Sequence, residues 1–392
     1  MDKEKLRIAV FGHKRIPSNE GGIEVAVKEL FVRIAAEGHS VTCFNRTGHH
    51  VSGSEFDGEK LDWYQGIRIR NVPTISQRGL SALTASFTAA IMSAFGRFDV
   101  THIHAEGPAF TCWIPKLAGK KVVVTVHGLD HQRAKWGRFS SWYIRMGEKM
   151  AVRFADEIIV LSHHMRDYFQ RTYQRETRFI PNGVNLPVRR EAKEIREKFG
   201  LERGGYFLFL GRLVPEKGLE YLIRAYSQVK TDKKLVIAGG SSDTDKFLGK
   251  LHEMAEPQGS RIVFTGFVEG SLKDELYSNC YLYALCSDVE GMPLSLLEAM
   301  SYRTCCVVSD IPECAEVVED KAALFPAGNV DALAGVLQRL CDNPEEAERL
   351  RAASSEFILR KYNWDDVAER TLSLYQKRTG RIGKGRTLER QI

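Results

Sequence analysis

Short apolar runs alternate along this chain with longer segments in which apolar residues recur every third or fourth position. Leu6–Phe11, Val41–Phe44, Val100–Ile103, Val122–Val126 and Glu157–Leu161 are brief and rich in β-branched residues, which predicts buried strands. Ile67–Asn71 alternates apolar and polar positions, and Arg178–Ile180 closes the series. Between them, Gly22–Glu37 places Val25, Leu30, Ile34 and Ala35 on one stripe, with Gly38 as its stop signal. Leu80–Phe95, Pro108–Leu117 and Trp136–Phe154 also read as helices. The pattern breaks at Pro181–Pro187, IPNGVNLP, where Asn-Gly and two prolines predict a turn and an extended linker. It then restarts. Strands are expected at Tyr206–Leu210, Leu235–Ala238, Ile262–Thr265, Tyr281–Leu285 and Cys305–Val308, with helices at Gly218–Val229, Lys246–Ala255 and Pro293–Tyr302. Residues after Val330 are mostly helical and charged on one face.

Strand and helix in strict alternation imply parallel sheets covered by helices on both faces, an α/β protein. Two such runs joined by one linker imply two Rossmann-like domains, with ligands beyond the carboxyl ends of the strands, in the cleft where the two sheets face each other. The expected division is 1–185, 186–362, and a last helix with a basic tail over 363–392. A chain of 392 residues has room for cores without disulfides, and its eight cysteines contain no C-x-x-C pair, so reduced buried thiols are expected. No apolar run approaches the roughly 18–20 residues of a membrane span, and the opening MDKEKLRIAVFG lacks the long apolar stretch of a secretory signal. These features point to a cytoplasmic protein. The net charge of +6 is uneven: residues 1–195 carry 29 Lys/Arg against 20 Asp/Glu, and residues 196–392 carry 27 against 30. A basic first half suits an anionic partner, and without a nucleic-acid motif a phospholipid surface or phosphorylated acceptor is the better candidate.

Four segments carry candidate chemistry. In Asp288-Val-Glu-Gly-Met-Pro-Leu-Ser-Leu-Leu-Glu298, Pro293 opens a helix whose first amides, those of Leu294 and Ser295, suit a diphosphate. Glu290 and Gly291 lie on the loop before it, where Glu290 can reach a sugar's hydroxyls, and Glu298 lies one turn along, where it can accept from a ribose. In Gly211-Arg-Leu-Val-Pro-Glu-Lys217-Gly218, Arg212 and Lys217 stand at the two ends of a tight loop and can converge on one anion. Fixed cations there stabilise a leaving diphosphate more than the intact donor. No metal and no cofactor are expected, the cations standing in for a divalent ion. Gly12-His-Lys-Arg-Ile-Pro-Ser-Asn-Glu-Gly21-Gly22-Ile-Glu24 joins the first strand to the first helix; its paired glycines let backbone approach a ligand, and it lacks the G-x-G-x-x-G spacing of a dinucleotide site. Finally, Val122–Val126 runs into His127-Gly-Leu-Asp130, putting a histidine at a strand's carboxyl end. Each segment alone also fits an ordinary surface loop.

Taken together, the segments resemble the retaining glycosyltransferases of family 4, which have the GT-B architecture, from about Leu6 to Tyr375. The resemblance implies that Arg212 and Lys217 hold the donor diphosphate, Glu298 the ribose and Glu290 the sugar. It puts Gly21 and Gly22 against the phosphates, His127 near the reacting sugar, and Glu24 and Asp130 on the acceptor side. Phe267 and Val268 match the stretch that contacts the base, and the helix near Asp365–Gln376 matches one that crosses back to the first domain. The wording GHKRIPSNEGGIEVAVKEL, HAEGPAF and HGLDHQRAKWG looks like bacterial surface-polysaccharide transferases. The implied function is transfer of a hexose-type sugar, with UDP the expected carrier, to a hydroxyl of a glycan or lipid-linked precursor. A nucleotide-sugar epimerase of similar fold and a catalytically silent nucleotide-sugar-binding protein are the alternatives. In His131–Arg153, Arg133, Lys135, Arg138, Arg145 and Lys149 interleave with Trp136, Phe139, Trp142, Tyr143 and Met146, a composition suited to peripheral contact with an anionic bilayer or to an ordinary core-facing helix.

Overall fold

The computed structural model describes residues 5–19, 21–48, 61–75, 80–129, 138–240 and 245–376. The first sheet has eight strands: β1 (Arg7–Phe11), β2 (Ser40–Arg46), β3 (Trp63–Tyr64), β4 (Ile67–Val72), β5 (Val100–His104), β6 (Lys121–Val126), β7 (Glu157–Val160) and β8 (Arg178–Phe179). Their spatial order is β3-β4-β2-β1-β5-β6-β7-β8, parallel throughout except for the antiparallel β3–β4 pair. The second sheet has six strands: β9 (Tyr206–Leu210), β10 (Lys234–Ala238), β11 (Ile262–Gly266), β12 (Leu282–Leu285), β13 (Cys305–Ser309) and β14 (Ala323–Phe325). It is ordered β11-β10-β9-β12-β13-β14 and is wholly parallel. The two doubly wound sheets are those the alternating pattern implies.

Central strands such as β1, β6, β9, β10 and β12 are nearly continuous apolar runs because both their faces are covered, whereas β4 alternates buried and exposed positions. In β1, Ile8 and Val10 enter the core beneath helix Gly22–Ala36, while Ala9 and Phe11 enter the core on the other face. That helix buries Ala26, Val27, Leu30, Phe31 and Ile34. Gly38, at φ +89°, turns the chain into β2. All eight cysteines are unpaired, and all but Cys341 are buried. No helix among the described residues is long and apolar enough to cross a membrane.

Several elements differ from the expectation. Pro108–Leu117 is two short helices, Glu106–Ala109 and Trp113–Leu117, not one. Helices His163–Tyr173, Gly270–Asn279 and Pro312–Val318 and the strands β3 and β14 were not legible, being short or weakly patterned. Pro293 is the cap before helix Leu294–Ser301, not its first residue.

The linker touches both the loop after β12 and the last helix. Asn182 donates its amide to Met292 Sδ at 3.1 Å, and Val184 bridges to Asn363. Gly183 lies so close to the last helix, Trp364–Gln376, that a Cβ would come 2.5 Å from Trp364 N. That helix returns to the first domain: Trp364, Val367, Leu372 and Tyr375 join its core.

Candidate functional site

The carboxyl ends of β9 and β12 hold the acidic and basic groups. After β9 the chain turns through Gly211-Arg212 into a single 3₁₀ turn, Pro215–Lys217. Gly218 closes it at φ +65°, and a Cβ there would lie 1.9 Å from Cys286 O, so no other residue fits without moving backbone. Asp288 N donates to Glu216 O at 3.0 Å, tying this loop to the one after β12. The result is a close ion pair, Lys217 Nζ to Glu290 Oε1 at 2.5 Å, with Ser287 Oγ on the same carboxylate oxygen at 2.6 Å. Arg212 is half-buried on the same loop.

Helix Leu294–Ser301 begins beside that pair. Its first amides, at Leu294 and Ser295, are among the four that a helix cannot satisfy internally. The Ser295 hydroxyl is turned into the core, where it accepts from Tyr283 at 2.8 Å, so Ser295 offers backbone only. One turn on, Glu298 takes Lys273 Nζ at 2.9 Å on one oxygen and the Tyr277 hydroxyl at 3.3 Å on the other. Val268 is buried in the domain core, whereas Phe267 is half-buried.

The first domain meets these groups from the ends of β1, β5 and β6. Gly21 and Gly22 start helix Gly22–Ala36, and a Cβ on Gly22 would touch Leu294 Cδ1 at 3.7 Å. Gly291 sits on the backbone beyond β6, where its Cβ would fall 1.6 Å from His127 O. Asn19 Nδ2 donates to Glu269 Oε2 at 3.1 Å, bringing the glycine loop to the turn that holds Phe267 and Val268. The structure thus gathers Gly21, Gly22, His127, Lys217, Glu290, Gly291 and Leu294 at one seam.

Glu24 is buried and accepts the Lys14 amide at 2.9 Å. Burial pushes its carboxyl up, but the Lys14 amide and charge, its own amide and His13 outweigh this and hold it below the usual range. Glu24 therefore braces the glycine loop through its Lys14 contact. Asp130 lies outside the described residues.

Sequence reasoning did not single out the buried polar cluster behind this seam. His13 Nε2 meets Asn45 Oδ1 at 3.0 Å. His102 and His104, two apart on β5, share a face and stack at 4.3 Å, and His104 Nδ1 meets His127 Nε2 at 2.9 Å. Lys273, the partner of Glu298, was also missed. The signal for the histidines was present in His102-Ile-His104 at a strand's carboxyl end; for Lys273 no local signal existed.

Two α/β sheets thus meet at their carboxyl ends, with paired cations and carboxylates at the seam. Residues 20–187 match the Glycosyltransferase Family 4 description, and residues 191–357 match Glycosyl transferases group 1. The chain belongs to this glycosyltransferase family. It is 25% identical over 410 residues to alpha-maltose-1-phosphate synthase of Mycolicibacterium smegmatis, covering 95% of this chain and 99% of that protein. It is also 25% identical over 300 residues to alpha-D-kanosaminyltransferase of Streptomyces kanamyceticus, covering 70% and 76%. Among solved structures, sucrose-phosphate synthase from Thermosynechococcus elongatus superposes with a TM-score of 0.80 at 22% identity, over 95% of this chain and 98% of that one. Anabaena HepE in complex with UDP and glucose gives 0.77 at 16% identity, over 94% and 98%. These likenesses make the fold GT-B.

Proposed function

We propose that the chain is a retaining, metal-independent hexosyltransferase that takes its sugar from a UDP donor and passes it to a hydroxyl of a glycan or lipid-linked precursor in surface-polysaccharide synthesis. The observation that carries this reading is the Lys217–Glu290 pair set beside the start of helix Leu294–Ser301 and facing the Gly21-Gly22 loop. An ammonium has three donors, so Lys217 can keep Glu290 and also take a phosphate oxygen. Arg212 and the Leu294 and Ser295 amides add positive potential where the diphosphate gains charge as the glycosidic bond breaks. In this reading Glu290 takes the sugar, Glu298 the ribose, and the Phe267–Val268 turn the base. No side chain is assigned as nucleophile. The acceptor hydroxyl attacks an oxocarbenium-like sugar from the leaving-group face, its proton passing to the phosphate oxygen, and the configuration is retained. HepE's complex with UDP and glucose supports UDP as the carrier here.

A membrane-bound acceptor fits the basic first half. In helix Arg138–Phe154, Trp142, Arg145, Lys149 and Arg153 are exposed on one stripe, while Tyr143 turns inward against Phe110 at 5.1 Å. The outward stripe suits reversible contact with an anionic bilayer on the cytoplasmic side. Residues 131–137, and the side chains of 138 and 139, lie outside the described residues.

Incubation of the purified protein with UDP-hexoses and a lipid-linked acceptor, with EDTA present, tests the central reading. A transferred sugar of unchanged anomeric configuration is expected. An isomerised donor would make the protein an epimerase, and an unchanged donor a binding protein. Turnover lost in EDTA and restored by Mg²⁺ would remove metal independence. Among nucleoside diphosphates, UDP should stabilise the fold most, by about 2.7 kcal/mol at a hundred times its Kd. Flotation with anionic but not neutral vesicles, lost in high salt, is expected for the membrane contact.

A further inference from the structure

Behind His127 lies a ladder of imidazoles that the proposed chemistry does not use. His102 and His104 are buried on one face of β5, next to β6, whose Thr125 pairs in register with His104. Their rings stack at 4.3 Å and 25°, and His104 overlaps His127 at 5.2 Å and 33°. Phe31 closes the side of the stack, edge-on to His102 at 5.5 Å and to His104 at 5.7 Å. The far end is anchored on the last helix: His102 Nδ1 meets the Tyr375 hydroxyl at 2.5 Å, and its Nε2 meets Thr125 Oγ1 at 2.7 Å. The near end is the 2.9 Å contact between His104 Nδ1 and His127 Nε2.

A ring nitrogen meeting another ring nitrogen needs one proton between them. Burial first, and then His102, His127 and His13, hold the His104 imidazole well below the ordinary histidine range, so it is neutral and has one proton. His104 Nε2 is buried and has no hydrogen-bond partner among the described residues. A proton there would be an N–H buried without an acceptor; on Nδ1 the same proton has one, His127 Nε2.

We propose that His104 is a positioning residue: its Nδ1–H donates to His127 Nε2, fixing the ring plane and the tautomer of the histidine at the cleft. His127 then carries its own proton on Nδ1, so whatever that nitrogen meets, it meets as a donor and not as an acceptor. His102, held by Tyr375 and Thr125, backs the His104 ring, so the last helix sets the geometry of a group at the end of β6. The proposal rests on the reading of His127 as the histidine that meets the reacting sugar.

Four variants test it. His104→Asn keeps an amide N–H near the place of Nδ1, His104→Gln puts one near Nε2, and His104→Phe keeps the ring and removes both. We expect kcat to fall on the order of ten- to a hundredfold in Phe and Gln, with the donor KM changed less than about threefold, and Asn to recover most of the loss. A role in filling space predicts the reverse order, since Gln is nearer to His in volume; Gln equal to or better than Asn, or Phe with wild-type turnover, overturns the proposal. A measurement on the wild-type protein covers variants that do not fold: with ¹⁵N-labelled histidine, His127 Nε2 must show a pyridine-type shift and Nδ1 a pyrrole-type shift. The opposite pattern overturns the assignment. Wild-type activity in His127→Ala would remove the underlying reading. It is distinct from a crippled His127→Ala beside an unaffected His104→Phe, which would sink this proposal alone.

Discussion

The wall of the cleft built on β9 and β12 meets the seam with cations locked to carboxylates, Lys217 to Glu290 and Lys273 to Glu298. The opposite wall, built on β1, β5 and β6, meets it with buried imidazoles: His13, His102 and His104 are each about 1% exposed or less. The burial explains the neutrality, since an imidazolium there would lose its hydration, and at His13 this outweighs the nearby Glu24 charge. In the proposed reaction the diphosphate gains negative charge as it leaves, and one wall holds fixed cations. The proposed acceptor brings a hydroxyl, and the imidazoles of the other wall are hydrogen-bonding groups without charge. Charge stabilisation and neutral positioning are thus divided between the two domains, and the division can be attacked from either side.

The largest effect should come from the charged wall. Lys217→Ala is expected to lower kcat by about 10²–10³ with a smaller change in donor affinity, because the lysine counts most when the diphosphate leaves. Near-wild-type turnover in a steady-state assay would end the assignment. Next comes the contact between the walls. Gly291→Ala would place a methyl 1.6 Å from His127 O, so the seam must open. A loss of up to about 10² in kcat/KM is expected, with the circular dichroism of both domains unchanged. Unaltered kinetics would mean that the working enzyme does not need this closure.

How far the sequence foretold these walls follows the same division. The charged wall was legible because its groups sit on two contiguous stretches, Gly211–Gly218 and Asp288–Glu298, each a strand end followed by a helix start. Spacing alone put Arg212 with Lys217 and Glu290 with Glu298. It did not reveal Lys273, because the Lys273–Glu298 pair depends on how helix Gly270–Asn279 packs against helix Leu294–Ser301. The neutral wall depends on sheet order. His13, His104 and His127 become neighbours only because β5 lies between β1 and β6, and nothing in local periodicity states that order. Nor does periodicity state that the Glu24 carboxylate turns back to the Lys14 amide.

A smaller effect is expected at Glu298. Glu298→Ala should raise the donor KM by about tenfold while kcat changes little, because ribose contacts made in the ground state persist in the transition state. Lys273→Met should follow in the same direction and more weakly, since Lys273 holds the carboxylate without being assigned to the ribose itself. A larger fall in kcat than rise in KM for Glu298→Ala would move this residue from holding the donor to the chemical step.

The smallest effect tests the neutral wall through stability. Burial drives the His13 imidazolium down to about 4, against its Asn45 hydrogen bond and the Glu24 charge and with help from Arg46. Burial, with His127, takes His102 to about 3, and His104 is also held well below the ordinary value. An unfolded histidine titrates near 6.5. Above that pH neither state binds these protons, and the native protein keeps its full stability. Between pH 6.5 and 4 the unfolded chain takes up three protons that the native state refuses, so stability falls with pH. Each such histidine contributes about 1.4 kcal/mol per pH unit to that slope. Glu24, with its carboxyl held low, loses its contribution only in a more acidic window, below the ordinary carboxylate value of about 4.5, so the two effects separate. Asn45 fixes the His13 tautomer: its Oδ1 accepts from the Ile16 amide at 3.1 Å and its Nδ2 donates to Ile16 O at 2.9 Å, so His13 Nε2 must be the donor. His13→Gln preserves a donor at that place and removes the titration. Stabilities measured by denaturant from pH 7 to 5 should therefore show a slope shallower than wild type by about 1 kcal/mol per unit on average, approaching about 1.4 toward pH 5, whatever the offset at neutral pH. An unchanged slope would mean that His13 is protonated in the native protein, and the wall behind the glycine loop would then carry a charge.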